Sequence, residues 1–223
     1  MHLLVFLRHR LGCYSFYFVF INTAVELMQE ISDFATFEIA ISRCMQVFEA
    51  GGLVVVPTDT LYGVVTTIAN SDKLYKLKRR SRLKPLGLFV SNMREIQRWC
   101  HQTVENSHLR KLLPGPVTLV FERSSQLPKV FNPDYTTVGV RIPDHDFVRS
   151  LMTRLDDVPL AQTSANISSV PKSPLSIEDF KDLWPELDLI IDDGFITHSD
   201  GSVYHEGSTI KHVDILLVFL VHY

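Results

Sequence analysis

Residues 53–63, Leu-Val-Val-Val-Pro-Thr-Asp-Thr-Leu-Tyr-Gly, end an apolar run at a proline and then present hydroxyls, one carboxylate and a glycine. Hydroxyls and carboxylates at a strand exit hold small polar ligands by hydrogen bonds, and helix-flanked sheets gather such ligands at strand ends. Read alone, the same peptide is equally an ordinary turn of Pro, Thr and Asp. Thr163-Ser164-Ala165-Asn166, after the apolar Val158–Ala161, repeats the pattern with small hydroxyls and an amide. Gly207-Ser208-Thr209-Ile210 is a third, weaker instance. Between Lys73 and Lys84 stand Lys73, Lys76, Lys78, Arg79, Arg80, Arg82 and Lys84 with no acidic residue among them. Clustered cations bind phosphate by charge-assisted, partly bidentate bonds, so a polyphosphate or an RNA backbone is the expected partner. A solvated helix face is the commoner fate of a charge run, but such faces mix signs and this one does not. Arg141 lies within the apolar Val138–Ile142; it is either paired inside the protein or aimed at an anionic ligand, because burying the charge alone costs too much.

Positioning these groups requires strands and helices in alternation. Val54, Val55 and Val56 form the β-branched run of a strand covered on both faces, and Pro57 ends it for want of an N–H. From Phe34, apolar residues at Phe37, Ala40, Ile41, Cys44, Val47 and Phe48 recur at helical steps, with Gly51-Gly52 as the stop. Helices are expected at Lys73–Arg80 and Arg94–Cys100, strands at Val117–Phe121, Val138–Ile142 and Leu187–Ile191. Asp144 is expected to cap a helix through Leu155, and Ser176, three residues before Asp179, to start another. Leu113-Pro114-Gly115-Pro116 reads as a rigid turn that sets a strand's direction. The pattern gives an α/β (α+β) domain with a twisted mixed sheet and flanking helices.

Composition narrows the function. At 223 residues and 46% hydrophobic, the chain supports one main domain, and a net charge of −3 argues against coating nucleic acid by bulk charge. Cys13, Cys44 and Cys100 form no CxxC, so neither a disulfide framework nor a zinc site is indicated and a reducing compartment is expected. GxGxxG, GxxxxGK[ST] and HExxH are absent, and Ser164 lacks a GxSxG elbow. Residues 1–33 read as an appendage, a targeting or gene-model extension. Its uncharged run Leu11–Ile21 falls short of the ~20 residues that span a bilayer, so no stable membrane insertion is expected.

Taken in order, Pro57–Gly63, Lys78-Arg79-Arg80-Ser81 with Lys84-Pro85-Leu86, Leu113–Thr118, Val140–His145, Thr163–Asn166 and Gly207–Ile210 resemble the YrdC family. The 113–118 and 141–145 stretches look most like the animal YrdC-domain proteins. The resemblance covers a domain over 34–210 and implies a sheet around a large, positively charged cavity. It implies threonylcarbamoyl-AMP synthesis from L-threonine, bicarbonate and ATP, with pyrophosphate released, for the N6-threonylcarbamoyladenosine of tRNA. By resemblance Thr58, Arg141 and Ser208 hold threonine, and Lys78, Arg80, Lys84, Thr137, Ser164 and Asn166 hold ATP. It also implies Mg2+ with the ATP, contact with tRNA only through a downstream transferase complex, and a cytoplasmic or also mitochondrial location. No carboxylate cluster identifies metal ligands.

Two departures qualify this. Phe89 stands where many members place a histidine that contacts threonine. Members usually continue past the Ser-Thr-Ile strand into an Arg-Pro-Gly segment that contacts ATP, whereas this chain runs through Lys211–Asp214 into the apolar Ile215–Val221. With a divergent apolar tail over 211–223, the expectation is a form that binds ATP weakly or is inactive. The alternatives are an RNA-binding module using the Lys73–Lys84 patch, or a catalytically impaired relative that keeps the cavity. Against RNA, the patch carries one aromatic, Tyr75, where single-strand binders interleave several.

Overall fold

The computed structural model describes residues 2–10, 13–21, 34–79, 82–156, 158–167, 172–197 and 207–212. Its strands are β1 (His2–Arg10), β2 (Cys13–Ile21), β3 (Val54–Val56), β4 (Gly63–Thr67), β5 (Gly87–Phe89), β6 (Cys100–His101), β7 (Val117–Arg123), β8 (Thr137–Arg141), β9 (Leu160–Ser164), β10 (Leu189–Asp192) and β11 (Thr209–His212). The α-helices are α1 (Phe34–Glu49), α2 (Asp72–Leu77), α3 (Met93–Trp99), α4 (Asn106–Leu109) and α5 (Asp146–Arg154), with 3-10 turns at Ile68–Asn70 and Ile177–Glu186. The strands join in one mixed sheet ordered β11-β7-β8-β5-β9-β4-β3-β10-β1-β2, with β6 beside β7. The sheet combines parallel pairs (β11–β7, β5–β8, β3–β10) with antiparallel ones (β7–β8, β5–β9, β4–β9, β3–β4), so the expected mixed sheet with flanking helices is the fold found. At the other edge β1 pairs parallel with β10 and antiparallel with β2.

The strand alternation divides the core into two. On β3, Val54 and Val56 pack with Ala40, Ile41, Cys44 and Phe48 of α1 and Phe147, Val148, Leu151 and Met152 of α5. Val55 points to the other face, among Leu74 of α2, Ile96 of α3 and Phe180. That two-sided burial is why the run is uninterrupted valine rather than alternating. α1 ends as its glycines require: the Gly51 N–H donates to Phe48 O at 2.9 Å and the Gly52 N–H to Val47 O at 2.8 Å, with Gly51 at φ 72. This is a Schellman close, and it turns the chain directly into β3.

Asn92 caps α3, its Oδ1 accepting from Arg94 N at 2.8 Å and Glu95 N at 3.3 Å. The Asp179 carboxylate accepts from the N–H of Ser176 at 2.8 Å, tying down the start of the second 3-10 turn. The expected cap at Asp144 is corrected. His145 occupies the N-cap of α5 and makes no side-chain cap bond, while Asp144, one residue too early, faces Arg149 at 3.5 Å. Among the described residues no helix is long and apolar enough to cross a membrane. Cys44 and Cys100 are buried thiols; burial pushes the Cys100 thiol up to about 12 and Cys44 higher still.

Candidate active site

The Pro57 stop sends the chain into a tight loop organised by Thr58. Its hydroxyl donates to Leu61 O at 2.7 Å and accepts from Thr60 N at 3.1 Å and Leu61 N at 3.2 Å, a hydroxyl-built turn. The loop thereby fixes Asp59 and Thr60 beside Arg141. That arginine is 4% exposed; its Nε donates to Gly115 O at 3.1 Å, Nη1 to Thr60 Oγ1 at 3.0 Å and Nη2 to Asp59 Oδ1 at 2.5 Å. The Leu113–Pro116 turn therefore does more than aim β7: it delivers the Gly115 carbonyl that orients the guanidinium. Asp59 Oδ2 is buried with no hydrogen-bond partner, a feature that costs on the order of 1–3 kcal/mol. Behind the loop, Tyr62 is wholly buried and its hydroxyl lies 2.7 Å from Gly194 O and 3.0 Å from Asp192 Oδ1. Burial first, and Asp192 second, hold the Tyr62 phenol well above its ordinary range; burial also raises the Asp192 carboxyl.

Lys78 caps α2 and is 2% exposed. Its ammonium crosses to the exit of β9, donating to Ser164 O at 2.8 Å, Ser164 Oγ at 3.2 Å and Asn166 Oδ1 at 2.8 Å, and to Asn166 O. The Ser164 hydroxyl in turn donates to Asn166 Oδ1 at 2.7 Å. A point charge surrounded by neutral oxygens thus sets the conformation of the Thr-Ser-Ala-Asn exit.

Between these two anchors lies a cavity of about 560 Å3. Its floor is a cross-strand row, with Gly139 of β8 opposite Gly87 of β5 and Gly87 opposite Gln162 of β9. A Cβ on Gly139 would sit 3.0 Å from Thr118 Cγ2, and one on Gly87 would fall on the Gln162 amide nitrogen, so both positions keep the floor open. One wall is β11 with the residue before it, Ser208, whose Oγ is 2.8 Å from Thr118 Oγ1 of β7.

Of the residues singled out in the sequence, Thr137, Arg141, Ser164, Asn166 and Ser208 all line this cavity. Lys78 reaches its wall through Ser164 and Asn166. Thr58 is buried behind Arg141 and is not a lining residue, and Lys84 is exposed while its neighbour Pro85 lines. Arg80 lies outside the described residues, as does the divergent tail beyond His212. The cationic run separates into different fates. Lys78 is buried, Lys73 donates to Gly51 O at 2.6 Å, Arg79 pairs with Glu186 at 3.1 Å and Arg82 with Asp72 at 2.9 Å. Among the described lining residues Arg141 alone carries a permanent charge, so the cavity they form is less cationic than the run implied. Sequence reasoning missed Thr118, Gln162 and the Gly87–Gly139 pair. The period-2 alternation of β7, β8 and β9 was the available signal, placing Thr118 and Gly139 on the face of Arg141.

The family model for Sua5, YciO and YrdC, described as Telomere recombination, matches residues 46–211. The chain belongs to the Sua5/YciO/YrdC family. The bovine threonylcarbamoyl-AMP synthase is 44% identical over 179 residues, covering 79% of this chain and 64% of that protein; the human one is 43% identical with 79% and 63% covered. This Sua5/YciO/YrdC chain therefore spans slightly less than two thirds of its mammalian relatives' length. Among solved structures, Pyrococcus abyssi Sua5 complexed with L-threonine superposes with a TM-score of 0.69 at 26% identity, over 83% of this chain and 53% of that one. MTH1692 from Methanobacterium thermoautotrophicum gives 0.60 at 30% identity, over 86% and 87%. The YrdC-type fold expected from the motifs is thus the one found.

Proposed function

We propose that the chain is a threonylcarbamoyl-AMP synthase. The observation that carries this reading is the convergence of Arg141 and Ser208 with Thr137, Ser164 and Asn166 on one cavity, whose volume falls in the usual range for small-molecule sites. The names of the mammalian relatives and the threonine-bound Pyrococcus structure support it.

In this reading the threonine carboxylate faces Arg141, with Ser208 and the Thr58 loop closing that side. ATP takes the side of Ser164, Asn166 and Thr137, with Lys78 behind them and Lys84 toward the phosphates; Arg80 is assigned to ATP by the resemblance alone. The amine of threonine combines with bicarbonate, losing water, to give a carbamate. A carbamate oxygen attacks the α-phosphorus and pyrophosphate departs with the broken P–O bond's electrons. No protein nucleophile is required, so placement of the reactants and stabilisation of phosphate charge supply the rate. Among the described residues no group of three His, Cys, Asp or Glu side chains gathers, a donor set that does not fit a protein-held metal. Magnesium accordingly enters as part of the nucleotide substrate. The product passes to a tRNA-modifying transferase complex in the cytoplasm, with a mitochondrial pool as an extension of the same reading.

The test is incubation of the purified chain with labelled bicarbonate, L-threonine and ATP. Threonine-dependent labelled adenylate is the expected result; its absence refutes the reading. Refolded or purified chain that binds tRNA with a steep salt dependence and makes no adenylate would favour the RNA module instead.

A further inference from the structure

We infer that Asp59 is a positioning residue of the threonine side: it fixes the plane of the Arg141 guanidinium, and through it the register of the amino acid's carboxylate. The inference rests on the synthase reading, in which Arg141 receives that carboxylate. Three groups from two separate stretches hold Arg141: from the Thr58 loop, Asp59 Oδ1 on Nη2 and Thr60 Oγ1 on Nη1, and from the 113–116 turn, Gly115 O on Nε. Of these, Asp59 alone brings a charge. Its carboxylate is 12% exposed, its Oδ1 is committed to Arg141, and its Oδ2 is buried without any hydrogen-bond partner. A surface carboxylate kept for solubility would not be buried with one oxygen unsatisfied, and a purely structural brace would use both oxygens. Asp59 is not among the lining residues whereas Arg141 is, so the carboxylate acts on the cavity through the arginine and not by touching what enters. A planar fork held at three corners cannot rotate, which matters because a guanidinium reads a carboxylate by two parallel bonds in its own plane.

The test measures binding of L-threonine and of ATP separately, by calorimetry on the full chain, for wild type, Asp59→Asn and Thr60→Val. Asp59→Asn keeps the shape and removes the charge; its affinity for L-threonine falls on the order of 10- to 100-fold, as expected when one partner of a buried pair is removed. Its ATP affinity stays within about twofold, because the nucleotide side is held by the separate Lys78 network. Thr60→Val moves threonine affinity in the same direction by a smaller factor and serves if the Asp59 variant does not fold. In an Arg141→Gln background Asp59→Asn has no further effect on threonine, since the group it orients is gone. Unchanged threonine affinity in both single variants, an equal loss for ATP, or additivity with Arg141→Gln would overturn the inference. Comparison with 2,3-dihydroxybutyrate, which lacks the ammonium, separates positioning from direct contact. A positioning role lowers both ligands alike, and a loss confined to threonine overturns it in favour of an ammonium contact. A wild-type chain that binds neither threonine nor ATP sinks the synthase reading itself, and this inference with it.

Discussion

The two ends of the cavity hold buried cations in opposite ways. At one, Arg141 is fixed by a carboxylate, a hydroxyl and a carbonyl that arrive from residues 59, 60 and 115. At the other, the Lys78 ammonium donates to oxygens of Ser164 and Asn166, both from a single strand exit. The fork of arginine specifies direction and so ties loops together; the point charge of lysine tolerates many directions and so gathers one local segment. The arginine end is a junction of the fold, and the lysine end is a clamp on one loop.

That contrast is broken most directly by Arg141→Ala, which strands the Asp59 carboxylate in the interior and is expected to cost about 3–5 kcal/mol in urea unfolding. Lys78→Met takes the donor from the neutral Ser164 and Asn166 oxygens and should cost about 1–3 kcal/mol, while lowering ATP affinity more than threonine affinity. Equal losses from the two variants would abolish the distinction. Gly87→Ala, between the two ends, puts a Cβ on the Gln162 amide and is expected to cost about 1 kcal/mol and to weaken both ligands, as read by melting and calorimetry.

The smallest effect concerns pH. Asp179 pairs with Lys172 at 2.6 Å, and the Lys172 carbonyl accepts from Asn166, so this carboxylate stands behind the lysine end. Burial opposes its ionisation, but Lys172 and the Ser176 bonds outweigh that and hold the carboxyl below its ordinary value. A depressed folded value means the contribution is complete above the ordinary Asp pKa of roughly 3.9 and is lost as pH falls through the lower folded one. Melting curves of wild type and Asp179→Asn should therefore differ at neutral pH and converge in acid; a constant difference would disprove the linkage.

Much of the frame was legible because local signals and packing agree. The valine run of β3, the Gly51-Gly52 stop and the Ser176–Asp179 start each behave as their residue types dictate. The Lys73–Lys84 run was harder, because its partners Glu186 and Gly51 come from distant elements and no local rule pairs them. Of the two possibilities left open for Arg141, the pairing is the one found, with Asp59, and the arginine also lines the cavity. The role of Gly115 was hidden for a related reason, since turn chemistry explains the Leu-Pro-Gly-Pro stretch completely without revealing which side chain its carbonyl would meet. Lining residues such as Thr118 became apparent only through register, which fixes which residues of neighbouring strands lie side by side.

β11 gives the molecule a consequence in time. Its four residues are all exposed and reach the sheet through the parallel ladder to β7, made from chain synthesised long before. Every residue of the two hydrophobic layers precedes β11 in the chain, so neither layer draws on it. A released chain shortened to end at residue 206 is thus expected to pass a test of compactness and fail a test of ligand retention.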